Sequence, residues 1–170
     1  MEKLTLKKLV GYLPYGLKAY CNEDIHDVTL EDEMDGYSIC VRDVLENNHK
    51  LVLRTLSNLT KEITQNGETF VPIFKLAEIA MPDLSWKELR NKSINENLNI
   101  AEFDFPQSPD IVFGTSVNSG GKKTTDFYGT IAYELIGIDN QLQLFQKLYE
   151  WHFDIHGLIE KGKAIDINTL

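Results

Sequence analysis

The chain has 170 residues, 42% hydrophobic and 25% charged, which is ordinary globular usage and excludes a disordered chain as the default reading. A net charge of -9 and a pI near 4.9 argue against a nucleic-acid binder, which needs a basic face to displace counterions from phosphates. No run approaches the roughly eighteen apolar residues of a membrane helix. The start, MEKLTLKKLVGYLPYG, lacks the apolar region and cleavage site of a secretory signal, so a cytoplasmic protein without membrane contact is expected.

In chain order, Thr5 opens a short helix with Leu6, Leu9, Val10 and Leu13 inward. Pro14 closes it by disfavouring helical geometry in the residue before it. Residues 17–21, 37–41 and 51–54 are short, rich in apolar, aromatic and β-branched types, and separated by polar or glycine-bearing stretches. They predict a small antiparallel sheet, to which residues 28–30 add a strand. Cys21 and Cys40 have no Cys-x-x-Cys spacing, which favours reduced, buried thiols over a disulfide or half of a zinc site. Between Glu23 and Glu46 nine acidic residues accompany one base, Arg42; a solvated acidic surface is the simpler reading than a DNA mimic or a cation site.

Ser57 begins a brief helix through Ile63, Asn66-Gly67 is a turn signal, and a second helix runs from Ile73 to Ala80, where Pro82 stops it. Ser85 is a candidate cap for a helix carrying Trp86, Leu89 and Arg90. Residues 100–105 alternate like a strand before the Pro106 to Pro109 break, and residues 111–113 read as buried. The stretch Gly114 to Thr125 has the glycine, serine and threonine content of an exposed loop or hairpin tip.

The segment Asp139 to Gly162 carries the strongest pattern. On a helix, Leu144, Leu148, Trp151, Ile155 and Leu158 form one stripe, and Leu142, Phe145, Tyr149, His152, His156 and Ile159 a second beside it. Asn140 with Gln143 forms a candidate reciprocal cap, Gly162 suits the left-handed closing position, and Lys161 complements the dipole. The expected architecture is a single α+β domain over residues 1–170: a small antiparallel sheet in the first third, short helices, and a long C-terminal helix as the main packing surface.

Three constellations invite chemistry and fall short on spacing. A phosphate-binding loop would place Ser116 at its first glycine and Lys123 at its magnesium ligand, so no nucleotide cofactor is expected. Glu31 to Gly36 imitates a calcium loop, but position twelve holds Arg42. His152 and His156 stand four apart, as zinc-binding pairs do, yet no glutamate follows the first, and no metal is expected there. Neither cysteine sits in a nucleophile signature, and no Gly-x-Ser-x-Gly elbow is present.

At YLPYGLK, at LVLRTLSNLTKEI followed by NGETFVPI, and at LYEWHFDIHGLIEKGKAIDINTL, the chain resembles a family of small uncharacterised proteins from gut bacteria, often carried by their phages and prophages. The resemblance covers about half of the chain and leaves residues 83–139 unmatched. It implies a bacterial or phage cytosolic setting and supplies no catalytic residues.

The expected function is that of a non-enzymatic accessory protein that contacts another protein or a second copy. Its surface would include Phe145, Tyr149, Trp151, His152, Phe153 and His156 of the C-terminal helix. The competing expectation is a small hydrolase or transferase that uses carboxylates, with the Gly114 to Thr125 loop as a lid.

Overall fold

A computed structural model describes residues 3–31, 38–47, 49–106, 108–117 and 124–170. Among them, twelve strands form sheets of five, five and two, and the four α-helices have at most ten residues. The chain divides into two compact units, one of Met1–Thr55 with Leu148–Leu170 and one of Leu56–Lys147.

The first unit begins with helix α1 (Leu6–Leu9) and a 3-10 turn at Leu13–Tyr15 that holds Pro14. Strands β1 (Lys18–Cys21) and β2 (Asp24–Thr29) form a hairpin. Strand β3 (Ser38–Cys40), helix α2 (Val41–Glu46) and strand β4 (Lys50–Leu53) come next. The second unit holds the hairpin β5 (Ile63–Gln65) and β6 (Glu68–Phe70), then helix α3 (Pro72–Ala80). A five-strand meander succeeds it: β7 (Asn91–Asn95), β8 (Ile100–Phe105), β9 (Ser108–Val117), β10 (Thr124–Ile131) and β11 (Glu134–Ile136). Helix α4 (Gln141–Glu150) then returns the chain to the first unit, which closes with β12 (Ala164–Asp166).

The sheet of the first unit has the order β12-β4-β1-β2-β3 and is mixed, not antiparallel as expected. Strand β1 runs antiparallel to β2 and β4, whereas β2 with β3 and β4 with β12 are parallel pairs. Between β4 and β12 the crossover is most of the chain. Beneath the sheet lies a core of Leu9, Tyr12, Leu17, Ala19, Val44, Leu51, Leu53 and Leu158.

Within each sheet of the second unit, strands consecutive in the chain pair antiparallel, the simplest route for a chain of short connections. Strand β8 alternates as its sequence predicts: Ala101, Phe103 and Phe105 are buried, and Glu102 and Asp104 face out. Trp86 packs edge-on against Phe103 and Phe105, with ring centres 5.0 and 5.6 Å away. Ser85 does not cap a helix there; Trp86–Glu88 is a single 3-10 turn. Ser57 likewise lies within a 3-10 turn, Leu56–Thr60, that ends before Ile63. The ladder of β9 and β10 extends to the pair Val117 and Thr124, so both ends of the expected Gly114 to Thr125 loop are strand. Its residues 118–123 lie outside the described residues, as do residues 32–37 of the stretch resembling a calcium loop.

The expected α+β architecture built on a long C-terminal helix is overturned, because the protein is mostly sheet and its last helix stops at Glu150. The stop is a Schellman closure: His152 adopts φ 58°, its amide bonds the Tyr149 carbonyl at 3.0 Å, and the Phe153 amide bonds the Leu148 carbonyl at 2.9 Å. Beyond this closure the backbone pairs with the end of β4 instead of coiling. The Arg54 amide donates to the His152 carbonyl at 2.7 Å, and the Asp154 amide donates to the Arg54 carbonyl at 2.8 Å. Trp151, Phe153 and Ile155 are then buried, as is Asp154 between them. Gly162 does take the left-handed conformation, φ 66°, but it closes only a turn, with its amide on the Ile159 carbonyl and that of Lys163 on Leu158.

Candidate functional site

The sequence directs Leu6, Leu9, Val10 and Leu13 all inward on one helix, but α1 ends at Leu9, and Val10 and Leu13 lie beyond it. Leu9 and Tyr12 take the core side and are fully buried. Leu6 and Val10, on the other side, remain 51% and 57% exposed. Facing Val10 is the end of β2, where Val28 turns inward and Leu30 stands 76% exposed. Between them runs an open groove of about 640 Å³, lined by Val10, Leu13, Pro14, Val28, Thr29, Leu30 and Glu31. Its walls are apolar, with the Glu31 carboxylate as the only ionisable group on the lining among the described residues. The sequence signal is the second stripe, Leu6, Val10 and Leu13 at steps of four and three, beside the inward pair Leu9 and Tyr12.

The residues expected on an interaction surface fall elsewhere. Trp151 and Phe153 are 5% and 0% exposed and so present no surface. Tyr149 is half-buried with its ring edge-on to Tyr12 at 4.8 Å, and its hydroxyl lies 3.2 Å from His156 Nε2. Phe145, in the second unit, packs edge-on against Phe127 at 5.5 Å. His152 and His156 do not share a helical face: one occupies the left-handed position that ends α4, the other a turn beyond it. Burial, with the Arg54 cation adding to it, lowers the His152 pKa to about 4 and holds its ring neutral. Among the described residues no three His, Cys, Asp or Glu side chains are grouped to hold a metal ion.

Asp154 is a structural carboxylate. It is buried and accepts the Leu158 and Ile159 amides, each at 2.8 Å, and so caps the turn after Phe153. Burial raises its pKa despite those bonds.

Asn140 also serves a local role different from the expected cap. Its side-chain amide donates to the Ile79 carbonyl at 2.6 Å, while Gln141 pairs with both backbone groups of Phe127 and ties α4 to β10.

In the second unit, Glu102, Asp104 and Asp110 line an open cleft of about 290 Å³ with Asn91, Lys92 and Ser93. All six are solvent-facing. The Lys92 ammonium lies 4.1 Å from the centre of the Phe74 ring, and the Ser93 hydroxyl donates to Glu102 at 3.2 Å. No helix among the described residues is long and apolar enough to cross a membrane. Comparison with protein-family models, with curated proteins and with solved structures finds no match to this chain.

Proposed function

We propose that this chain is a non-enzymatic accessory protein of a phage or mobile element, and that it works by docking a segment of another protein in the groove of its first unit. The observation that carries the reading is the outward apolar stripe of α1 and the 3-10 turn facing Val28 and Leu30 across an open groove. Side chains such as Val10 and Leu30 gain by leaving water, so a concentrated apolar strip of this kind supports a docking role. The occupant it suits is a short apolar segment flanked by lysine or arginine. Glu31 stands on the lining, and the chain as a whole carries a net charge of -9.

A photo-reactive residue placed at Val10 or Leu30 in host cells tests this. The expected product is a crosslink to one protein through an apolar segment with basic neighbours, which also binds as a synthetic peptide. Val10→Asp and Leu30→Asp, both at exposed positions, should each weaken that peptide roughly ten- to a hundredfold, the worth of one buried aliphatic side chain. A crosslink only to a second copy, or peptide affinity untouched by both substitutions, overturns the reading.

The cleft of Glu102, Asp104 and Asp110 is the observation that favours a carboxylate-dependent hydrolase or transferase instead. Loss of a measured turnover on changing Asp104 and Asp110 to asparagine would establish it.

A further inference from the structure

Cys21 ends β1 and His49 directly precedes β4, the strand that pairs antiparallel with β1 through Tyr20 and Lys50. Continuing that register by one residue sets Cys21 beside His49, and the sulfur lies 3.7 Å from His49 Nε2, a hydrogen-bonding distance for a thiol. Both residues are half-buried, not closed off in the core. On the other flank, β2 places Asp24 opposite Cys21. Its carboxylate accepts the Ile25 amide at 2.8 Å and serves its own turn. The second thiol, Cys40, is 6% exposed and provides an internal contrast.

We propose that Cys21 and His49 form a thiol-modification site that takes low-molecular-weight disulfides. A thiol becomes nucleophilic as its proton leaves, and a neutral imidazole at hydrogen-bonding distance is the group that can receive it. In the step, the Cys21 proton passes to His49 Nε2 as the sulfur attacks one sulfur of the incoming disulfide. The new S–S bond forms while the old one breaks, and the departing thiolate takes the proton back from the imidazolium. Cys21 is oxidised to a mixed disulfide, and half of the small disulfide is reduced to a thiol. This site is independent of the groove and stands whether or not the docking reading does.

The test is reaction of the folded protein with 5,5′-dithiobis(2-nitrobenzoate), monitored through the released thiolate. One rapid equivalent is expected, kept in Cys40→Ser and lost in Cys21→Ser. His49→Gln, shown folded by circular dichroism, should slow it roughly three- to tenfold near neutral pH and change the shape of the pH–rate profile. A second measurement does not depend on that variant: glutathione disulfide with the Cys40→Ser protein should leave a mixed disulfide on Cys21, located by mass spectrometry. The proposal is overturned if Cys21 reacts only after unfolding, if it forms no mixed disulfide, or if folded His49→Gln reacts at the parent rate at every pH between about 6 and 9.

Discussion

The phenol of Tyr12 donates to the backbone carbonyl of Phe153 at 2.7 Å, joining residues 141 positions apart inside the first unit. Tyr12 is fully buried, and the bond ties the N-terminal helical segment to the turn after α4. The Phe153 carbonyl also accepts the Ile155 amide, so losing the phenol leaves it with one partner. Tyr12→Phe should therefore cost about 0.5 to 1.5 kcal/mol. Tyr12→Ala, which also empties the ring's space, should cost about 3 to 5 kcal/mol. Denaturant unfolding of both variants checks the two figures, and equal losses would show that the hydroxyl, not the ring, sets the cost.

Gly11 lies against the flat of Tyr149, and a β-carbon there would overlap the ring. That ring is held between Tyr12 and the His156 imidazole and cannot swing freely. Gly11→Ala should destabilise by about 1 to 3 kcal/mol, the usual cost of overpacking. In a double-mutant cycle with Tyr149→Ala the two losses should fall short of adding, because the second change removes the atoms that the first one strikes. Strictly additive losses would place the damage elsewhere.

Acidification should work against the first unit through His152. Its pKa falls from 6.5 to about 4 through burial, so the folded state binds the proton less readily than the unfolded state. The contribution is whole above about pH 6.5 and is lost as pH falls toward 4, reaching on the order of 3 kcal/mol. Asp154 acts in the opposite sense: with its folded pKa raised, its contribution is whole below the ordinary carboxylate value and is lost as pH rises through the folded one. The difference between the parent and His152→Asn isolates the histidine, since asparagine tolerates the left-handed backbone there. Unfolding free energies measured from about pH 7 to 4 should converge as pH falls; parallel curves would contradict the assignment.

Two hairpin turns in the second unit predict changes of opposite sign. Asn66 and Gly67 connect β5 and β6 with φ of 51° and 81°, and Gly67→Ala should cost about 1 kcal/mol. Between β10 and β11 the same left-handed conformations fall on Ala132 and Tyr133, at 52° and 66°. Tyr133 is 86% exposed and has little packing to lose. Tyr133→Gly should stabilise by a few tenths to about 1 kcal/mol, strain relief outweighing the entropy of a glycine. Thermal melts of both variants read the signs directly.

The features legible in the residues alone are local. The Asn66-Gly67 turn, the alternation of β8, the helix before Pro82 and the left-handed Gly162 each arise from side-chain preferences within a few residues, and each stands in the structure. The groove was only half legible: the stripe of Leu6, Val10 and Leu13 can be seen, but not which apolar side of α1 the core would take. Cys21 and His49 lie 28 residues apart and meet only because β1 and β4 pair.

Tertiary structure decided the stretch from Trp151 to Gly162, whose apolar spacing suits a helix at steps of three and four and a strand at steps of two. Arg54 settles it. At the end of β4 it offers an amide and a carbonyl that need partners, and the backbone of His152 and Asp154 supplies them. Satisfying those backbone groups while Trp151, Phe153 and Ile155 are buried outweighs the intrinsic preference of the segment for a helix, which is why α4 ends at Glu150.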